Sequence, residues 1–451
     1  MTSLSSSVGD IQSDLEPVRT RLRTTHLNAV RNVLTDEMIL GACRSHEHEY
    51  RDRILGPVVT ALHFVAAALW PNDSFQQAWE VFGSERVSSG SLSKARGRFP
   101  EAVAVDLQKQ VAGAAVDASR PWSLWQGHRV LDLDGTGLSM EDNPELKSEF
   151  GVPNTRLGPG RYPLVRMTAA TLWGTMTIVE YELGPYRSAE NALAIQMLPR
   201  LVRGDVVVGD RRFAGANYYV AYERHGVDYI TRAHQRLKID RLTVFERHAD
   251  DDFVAELPVG PTHRKKDPTL PHGILARFIR VRARIRGKDE LVWLVTSLLD
   301  CEKYPADEIA QLYLERWRIE IVFRQLKIAC GADVLRSKTV SGIRKEIAAR
   351  VMAVNLTRII MIDAATKHDR APNRLSFSAA LCEVASTSLK MSTAPVRQLP
   401  LLYQLMLDNI AKAVVPERPD RNEPRATTRE KKDYPRLKGS RAEWRRKNAA
   451  A

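Results

Sequence analysis

Apolar positions along the chain recur first with helical spacing, then alternate, then return to helical spacing. From Thr25 to about Arg120 the pattern predicts helices. The stretch "ILGPVVTALHFVAAALW" (Ile54 to Trp70) is nearly unbroken apolar, but it falls short of the ~20 residues a membrane span needs and contains Pro57, Thr60 and His63. It reads as a buried helix. "NDSFQQAWEVF" sets Ser74 three residues before Gln77, the spacing of a capping box. A further helix is predicted at "VSSGSLSKARGRF", with Lys94, Arg96 and Arg98 in or beside its opening turns. Small polar residues ahead of a basic helix suit a helix-turn-helix-like DNA contact, and the alternative is a solvated face on a helical bundle.

From Trp122 the period shortens. "HRVLDLDG", "LVRMTAATLW", "TMTIVEYEL" and "GDVVVGD" are short β-rich runs bounded by Gly and Pro, and "SAENALAIQMLPRL" between the third and fourth has helical spacing. The order predicts a mixed α/β sheet with helices packed on it. A long interruption follows, from about Ala233 to Lys288, rich in strand-like fragments and closing on "RFIRVRARIRGK". There Arg280, Arg282, Arg284 and Arg286 alternate with Val281, Ala283 and Ile285, so a strand would set the four guanidinium groups on one face, suited to backbone phosphates. "ELVWLVTSLLD" returns to a buried strand. "PADEIAQLYLERWRIEIVFRQLK" predicts one long helix, and further helices run to about Val415.

Charge changes this picture. The chain has 67 Lys+Arg against 54 Asp+Glu, a formal +13, which favours a polyanionic partner or serves only solubility. Its last 36 residues, 416–451, hold 12 Lys+Arg and 6 Asp+Glu, so 12 − 6 = +6 lies there, without hydrophobic periodicity. That tail and residues 1–24 are expected to be disordered. The four cysteines are far apart and form no CxxC pair, which argues against a zinc module or disulfide framework and fits a reducing cytosol. No signal peptide is visible in the polar, acidic start. The histidines of "HEHEY" (His46 to Tyr50) are two apart in a helical stretch and do not share a face, so metal binding there is not favoured.

The acidic residues carry the candidate chemistry. "VLDLDGTGLSM" places Asp132 and Asp134 on one face of a strand that is expected to stop at the Gly135-Thr136-Gly137 turn. "LDLDGT" matches the opening of haloacid-dehalogenase-like phosphatases, with Asp132 as nucleophile and Asp134 as acid. Their later acidic motif is poorly met, because Ala214 stands where "GDRRFAG" should offer a second carboxylate. The competing reading takes one aspartate from the first strand, Asp134, and one from the end of "VVVGD", Asp210. A third carboxylate would complete a site for metal ions clamping a phosphodiester. In the long helix Tyr313, Arg316, Glu320 and Lys327 fall within a stripe of about 60°. Leu312 and Phe323 wall it on one side, Trp317 and Ile321 on the other, so a seam facing a site is predicted. Glu320 would complete the metal cage, Arg316 and Lys327 would bind phosphates, and Tyr313 would position the DNA backbone.

Y-x2-R-x3-E-x6-K in that helix resembles the signature of bacterial insertion-sequence DDE transposases of the IS-four family. "DLDGTGL", "GDRRFAG" and "YLERWRIEIVFRQLK" are similar to its three acidic motifs in order, over about Tyr50 to Arg358. The resemblance implies an RNase-H-like core interrupted by a β-rich insertion and flanked by helical regions. Its segments would be 1–24 disordered, 25–120 DNA-binding helices, 121–232 the first part of the core, 233–288 the insertion, 289–365 the rest of the core, 366–415 C-terminal helices and 416–451 a basic tail. It further implies Asp134, Asp210 and Glu320 as the catalytic, metal-binding triad, and Tyr313, Arg316 and Lys327 on the DNA strand near the cut. Arg211 and Arg212, beside Asp210, and the arginines of the insertion are further candidate DNA contacts. The reaction implied is nicking at the element's ends by water, then attack of the freed 3′-OH on target DNA. Mg²⁺, with Mn²⁺ as substitute, would be the cofactor, in a homodimer acting on DNA in the cytoplasm at the nucleoid. A DNA-binding protein that has lost catalysis is the rival within the family. One departure concerns the hairpin step: residues 233–288 contain no Trp to stack on a flipped base, and Phe245, Phe253 or Phe278 would have to substitute.

Overall fold

Thr35 opens the first described helix, α1 (Asp36–Ser45), its hydroxyl accepting the Met38 N–H at 3.1 Å. The computed structural model describes residues 29–416 apart from 52, 72–73, 84–85, 156–157 and 286–287, together with 446. The expectations for 1–24 and for nearly all of 416–451 lie outside the described residues. The nearly unbroken apolar run becomes α2 (Pro57–Leu69), buried at ten of its 13 positions and therefore a core helix. Among the described residues no helix is long and apolar enough to cross a membrane. Both bonds of the capping box form at the start of α3 (Phe75–Phe82): Gln77 N–H to Ser74 at 3.1 Å and Ser74 N–H to Gln77 at 2.9 Å. Then come α4 (Ser89–Arg98), capped by Ser88, and α5 (Glu101–Ser119). Of the three basic residues in α4, Lys94 and Arg98 are exposed. Arg96 instead lies 3.6 Å over the Phe75 ring and donates to Ser337 at 3.0 Å. It is a packing residue, because its apolar stem and planar head fill a gap between helices.

The sheet begins with β1 (Leu124–Trp125) and the long β2 (His128–Met140). After α6 (Pro144–Phe150) and the small ribbon of β3 (Asn154–Thr155) and β4 (Gly158–Pro159) come β5 (Leu164–Leu172) and β6 (Ile178–Pro185). Then follow α7 (Glu190–Met197), β7 (Val206–Gly209), α8 (Ala216–Arg224) and β8 (Asp228–Arg232). All four β-rich runs of the sequence are strands. Together with β8 they lie in the order β6-β5-β2-β7-β8, with β2, β5 and β6 antiparallel and β2, β7 and β8 parallel. Three antiparallel strands continued by two parallel ones, the latter reached through helical crossovers, make the RNase-H-like mixed sheet that was expected.

The insertion joins that sheet. β9 (Thr243–Ala249), β10 (Asp252–Pro258), the short α9 (Pro261–Lys266), β11 (Gly273–Ile285) and β12 (Lys288–Thr296) form an antiparallel run. β12 pairs with β8, so the path continues β12-β11-β10-β9. A buried fork anchors it: Arg277 donates to Asp252 at 2.7 and 2.5 Å and to the Tyr304 carbonyl at 2.7 Å, which satisfies an otherwise costly buried guanidinium.

The chain then passes through α10 (Ala306–Glu315), α11 (Arg318–Arg324) and a π-helical stretch, Gln325–Ala329. β13 (Val334–Leu335) pairs parallel with the end of β2. The 28-residue α12 (Val340–Lys367), α13 (Phe377–Thr393) and α14 (Leu399–Lys412) complete the fold. Buried on nearly every side, α12 joins the N-terminal helices to the sheet through one large core. Its Asn355 donates to the Ile178 carbonyl (2.8 Å) and accepts the Ile178 N–H (3.0 Å), sealing the edge strand β6. The described residues up to Val415 form one compact unit; of the second, Pro416–Ala451, only 416 and 446 are described.

Candidate active site

Alternation along β2 divides its side chains between two cores. Leu131 and Leu133 pack with Val207 against Ala194, Met197, Tyr219 and Tyr222 of α7 and α8. Val130 packs on the opposite face, with Val206, Val208 and Ile230, against Ile309, Leu312 and Tyr313 of α10. Asp132 and Asp134 share that second face. The parallel ladder pairs Val130 with Val206 and continues to Leu133 with Gly209. The residues that follow this last pair are Asp134 and Asp210, near enough for the Asp210 charge to raise the Asp134 pKa. The expected stop at Gly135-Thr136-Gly137 is not found: β2 runs through to Met140. Asp134 is nevertheless at an opening, because β7 ends at Gly209 and β13 takes up pairing only at Ser139.

Each aspartate is held by one backbone amide. Gly135 N–H donates to Asp134 and Arg212 N–H to Asp210, both at 2.8 Å. Neither carboxylate is in an ion pair among the described residues. Burial pushes the Asp134 carboxyl up to about 6, with the charges of Asp210 and Glu190 adding to the rise and Arg316 opposing it. Two neighbouring carboxylates that repel each other make a hard-oxygen donor pair, the chemistry that fits Mg²⁺ or Mn²⁺.

Asp132 differs from its neighbour. It is 1% exposed and its Oδ1 finds no partner. Burial drives its carboxyl well above the ordinary range against the pull of Arg316 and Arg318. A carboxyl so enclosed cannot reach a phosphorus atom, which removes the haloacid-dehalogenase-like reading.

The helix with the Tyr-Arg-Glu-Lys spacing is not the single regular helix expected. It breaks into α10, α11 and the π-helical stretch. At the break Arg316 N–H bonds Tyr313, Ile319 N–H bonds Arg316 and Glu320 N–H bonds Trp317, three-residue turns tighter than α. Arg316 sits there, its guanidinium 5.8 Å from the Tyr313 ring centre and its charge felt at both Asp132 and Asp134. Tyr313 is buried, and burial raises its hydroxyl pKa. Lys327 lies in the wider π turn, partly buried, its ammonium pKa lowered by desolvation and by nearby Arg166. Leu312 and Phe323 form the buried wall, whereas Trp317 on the other side is 54% exposed. Helix α11 packs on β2 through Ile319, Val322 and Phe323, and its Glu320 is exposed. Among the described residues no group of three or more His, Cys, Asp or Glu side chains is gathered to hold a metal ion. Asp134 and Asp210 are together; Glu320 is not joined to them.

The arginines of β11 lie elsewhere. Val281 and Ala283 are buried toward α10 while Arg280 and Arg282 are exposed, so the alternation holds. The register pairs Arg280 with Trp293 and Arg282 with Leu291, on the face turned away from α10 and so away from the aspartates. Arg280 lies 5.7 Å from the Trp293 ring centre and 3.4 Å from Asp251. The Arg284 side chain and Arg286 lie outside the described residues. Phe253 and Phe278 are buried and stacked on each other at 5.6 Å, which leaves only Phe245, 64% exposed, able to meet a base.

Sequence reasoning missed Glu190 and Arg166, and it read Arg212 only as a DNA contact without its tie to Glu190. Glu190 is 8% exposed, accepts from Arg166 at 3.1 Å and Arg212 at 3.0 Å, and raises the Asp134 pKa. A Cβ on Gly135 would meet its carboxyl carbon at 2.3 Å. The signal was the glycine itself: inside a strand, Gly marks a close approach of another group. Arg211 is exposed and donates to Gln235 at 3.1 Å.

The chain is similar to "Transposase InsG for insertion sequence element IS4" of Escherichia coli (strain K12), with 26% identity over 324 residues, 70% of this chain and 71% of that protein. Among solved structures, the cryo-EM synaptic complex of piggyBac transposase with hairpin DNA is matched at TM-score 0.40 and 11% identity, over 87% of this chain and 86% of that one. Residues 125–356, more than half of the chain, match the family described as the transposase DDE domain. The chain belongs to the DDE-domain transposases.

Proposed function

We propose that this transposase cleaves DNA at the ends of its own insertion element and joins the freed 3′-OH to target DNA, using divalent metal ions held by Asp134, Asp210 and Glu320. The observation that supports the reading is the parallel ladder of β2 and β7, whose last pair, Leu133 with Gly209, is followed by Asp134 and Asp210, with the charges of Asp210 and Arg316 both felt at Asp134. When bound, Mg²⁺ or Mn²⁺ would activate the attacking oxygen and stabilise the leaving one. The residues of the chain supply position. Asp134 and Asp210 are each held by a backbone amide, of Gly135 and Arg212, and would offer their carboxylate oxygens as ligands. Arg316, anchored at the helix break, offers a guanidinium to a phosphate next to them. Lys327 adds a second cation from the π turn, and Tyr313 orients Arg316. Glu320 stands on a helix packed against β2 and is assigned the third ligand position by its place in the Tyr-Arg-Glu-Lys spacing. Helices over 25–120 are assigned to DNA contact, and a homodimer joining two ends at the nucleoid belongs to the same reading.

The test uses a labelled duplex bearing the DNA that borders this gene, incubated with Mg²⁺. Wild type is expected to nick at a fixed position, and Glu320→Gln and Asp210→Asn to lose at least about a thousandfold in rate, as loss of a ligand to catalytic metal implies. Equal nicking by wild type and Glu320→Gln would remove Glu320 from the site. Binding without nicking by any of them would establish a DNA-binding protein that has lost its chemistry.

A further inference from the structure

Next to Asp210, on the face of β2 that carries Gly135 rather than Asp134, lies a cleft of about 630 Å³ lined by Arg166, Glu190, Arg211, Arg212, His234 and Gln235. Three guanidinium groups face it against one carboxylate, so 3 − 1 leaves an excess of two positive charges. Glu190 is the buried member. Its carboxylate takes Arg166 from one side at 3.1 Å and Arg212 from the other at 3.0 and 3.2 Å. Its own backbone carbonyl is tied to Thr168 at 3.3 Å, and the absence of a side chain on Gly135 gives it room. Arg212 is therefore fixed at both ends. Its N–H holds Asp210 at 2.8 Å while its guanidinium holds Glu190, yet its side chain remains 67% exposed. Arg211, its neighbour, spends a hydrogen bond on the neutral Gln235 amide. A side-chain oxygen of Asn191 and the Arg166 Nε, both buried at the cleft, have no partner.

A solvated pair of arginines adds little to stability. Holding two of them against a buried carboxylate, with a third alongside, instead preorganises donors for an anion. We propose that this cleft is a phosphate subsite on the DNA path, which binds one phosphodiester of the strand lying against Asp134 and Asp210. Arg211 and Arg212 are its donors, Arg166 completes its charge, and Glu190 is the positioning residue that keeps Arg166 and Arg212 turned into it. The guanidinium fork matches two phosphate oxygens, which a lysine at these positions would not do. The proposal rests on the reading of this protein as a DNA-cleaving transposase. The Arg212–Asp210 backbone link ties the subsite to the reacting carboxylates, so the phosphate it holds has a fixed spacing from the cut.

The experiment measures binding of the full-length chain, in EDTA, to a set of border duplexes that each carry one uncharged methylphosphonate near the expected cut. Wild type should lose about tenfold in affinity at one or two positions, the worth of a charge-assisted bond. Arg211→Ala and Arg212→Ala should each bind the all-phosphate duplex more weakly by a similar factor and should no longer respond to the neutral linkage at those positions. Glu190→Gln should show the same loss of response with both arginines present. Arg211 is exposed and does not support Glu190, so that variant reports even where Arg212→Ala is poorly folded. If the variants keep the wild-type response at every position, or if wild type has no position-dependent response, the subsite is overturned. Cleavage of the all-phosphate duplex with Mg²⁺ is read in parallel. Absence of cutting with the coupling intact would remove the proposed function and leave the subsite standing.

Discussion

Two aspartates, two residues apart on one face of one strand, meet opposite fates because the neighbouring strand ends between them. Asp132 is covered where β7 still pairs, and Asp134 stands where it has stopped. This makes Asp132 expendable for chemistry. Asp132→Asn keeps the shape and removes a buried acid, so nicking should stay within about threefold of wild type, the small effect of a substitution that touches no transition-state contact. A loss as large as that in Glu320→Gln, measured on the same duplex, would mean that the wrong aspartate has been assigned. At this scale the sequence was informative wherever chemistry coincided with periodicity. Asp134 and Asp210 stand out in the sequence because each ends an apolar run, alternating before Asp134 and unbroken before Asp210. Glu190 could not be read, since it opens a helix and looks like any acidic first-turn residue. Only the fold brings it under Gly135.

Elements were legible in proportion to how far local pattern alone decides them. The capping box at Ser74 and the four β-rich runs form as read, because each rests on contacts within a few residues or on burial of one face. The long helix did not, because its departures from α are imposed from outside. Arg350 of α12 donates to the Cys330 carbonyl at the end of the π turn, and Arg358 donates to the Gln325 side chain at its start. Neither partner is visible from within residues 306–330. The same helix α12 carries a buried ion pair whose pH dependence can be given a sign. Glu346 accepts from Arg350 (2.6 Å) and from the Arg336 and Ser337 backbone amides (3.1 and 2.9 Å). Burial would raise its pKa, but these partners outweigh it and hold the carboxyl below its ordinary value. A carboxylate with a lowered folded pKa contributes stability above its unfolded value near 4.5, lost as pH falls through the folded one. Glu346→Gln leaves Arg350 buried without its counter-charge and should cost about 3 kcal/mol at pH 7. Denaturant titrations of both proteins should show that gap narrowing below pH 4.5; a gap independent of pH would mean that the pair contributes packing alone.

Charge is the property that belongs to the molecule as a whole. Of the formal +13, +6 falls within residues 416–451, which leaves 13 − 6 = +7 on the rest. That remainder includes the basic cleft beside Asp210 and the arginines on the outer face of β11, so both portions bear charge that phosphate could neutralise. The two differ in how they are tied to the fold. The cleft is fixed by hydrogen bonds at known distances, whereas the tail belongs to a separate unit. Counterion release turns this division into a measurable slope. The logarithm of the binding constant for duplex DNA falls linearly with the logarithm of salt concentration, by about 0.9 for each phosphate neutralised. A chain ending at Val415 retains all three apolar cores and should melt at the temperature of the full chain. If the tail's lysines and arginines lie on the duplex, the truncated chain should bind with a slope shallower by several such steps, while its salt-independent intercept changes little. Parallel lines would assign the tail's charge to solubility, and would leave DNA contact to the folded unit and its arginine-lined cleft.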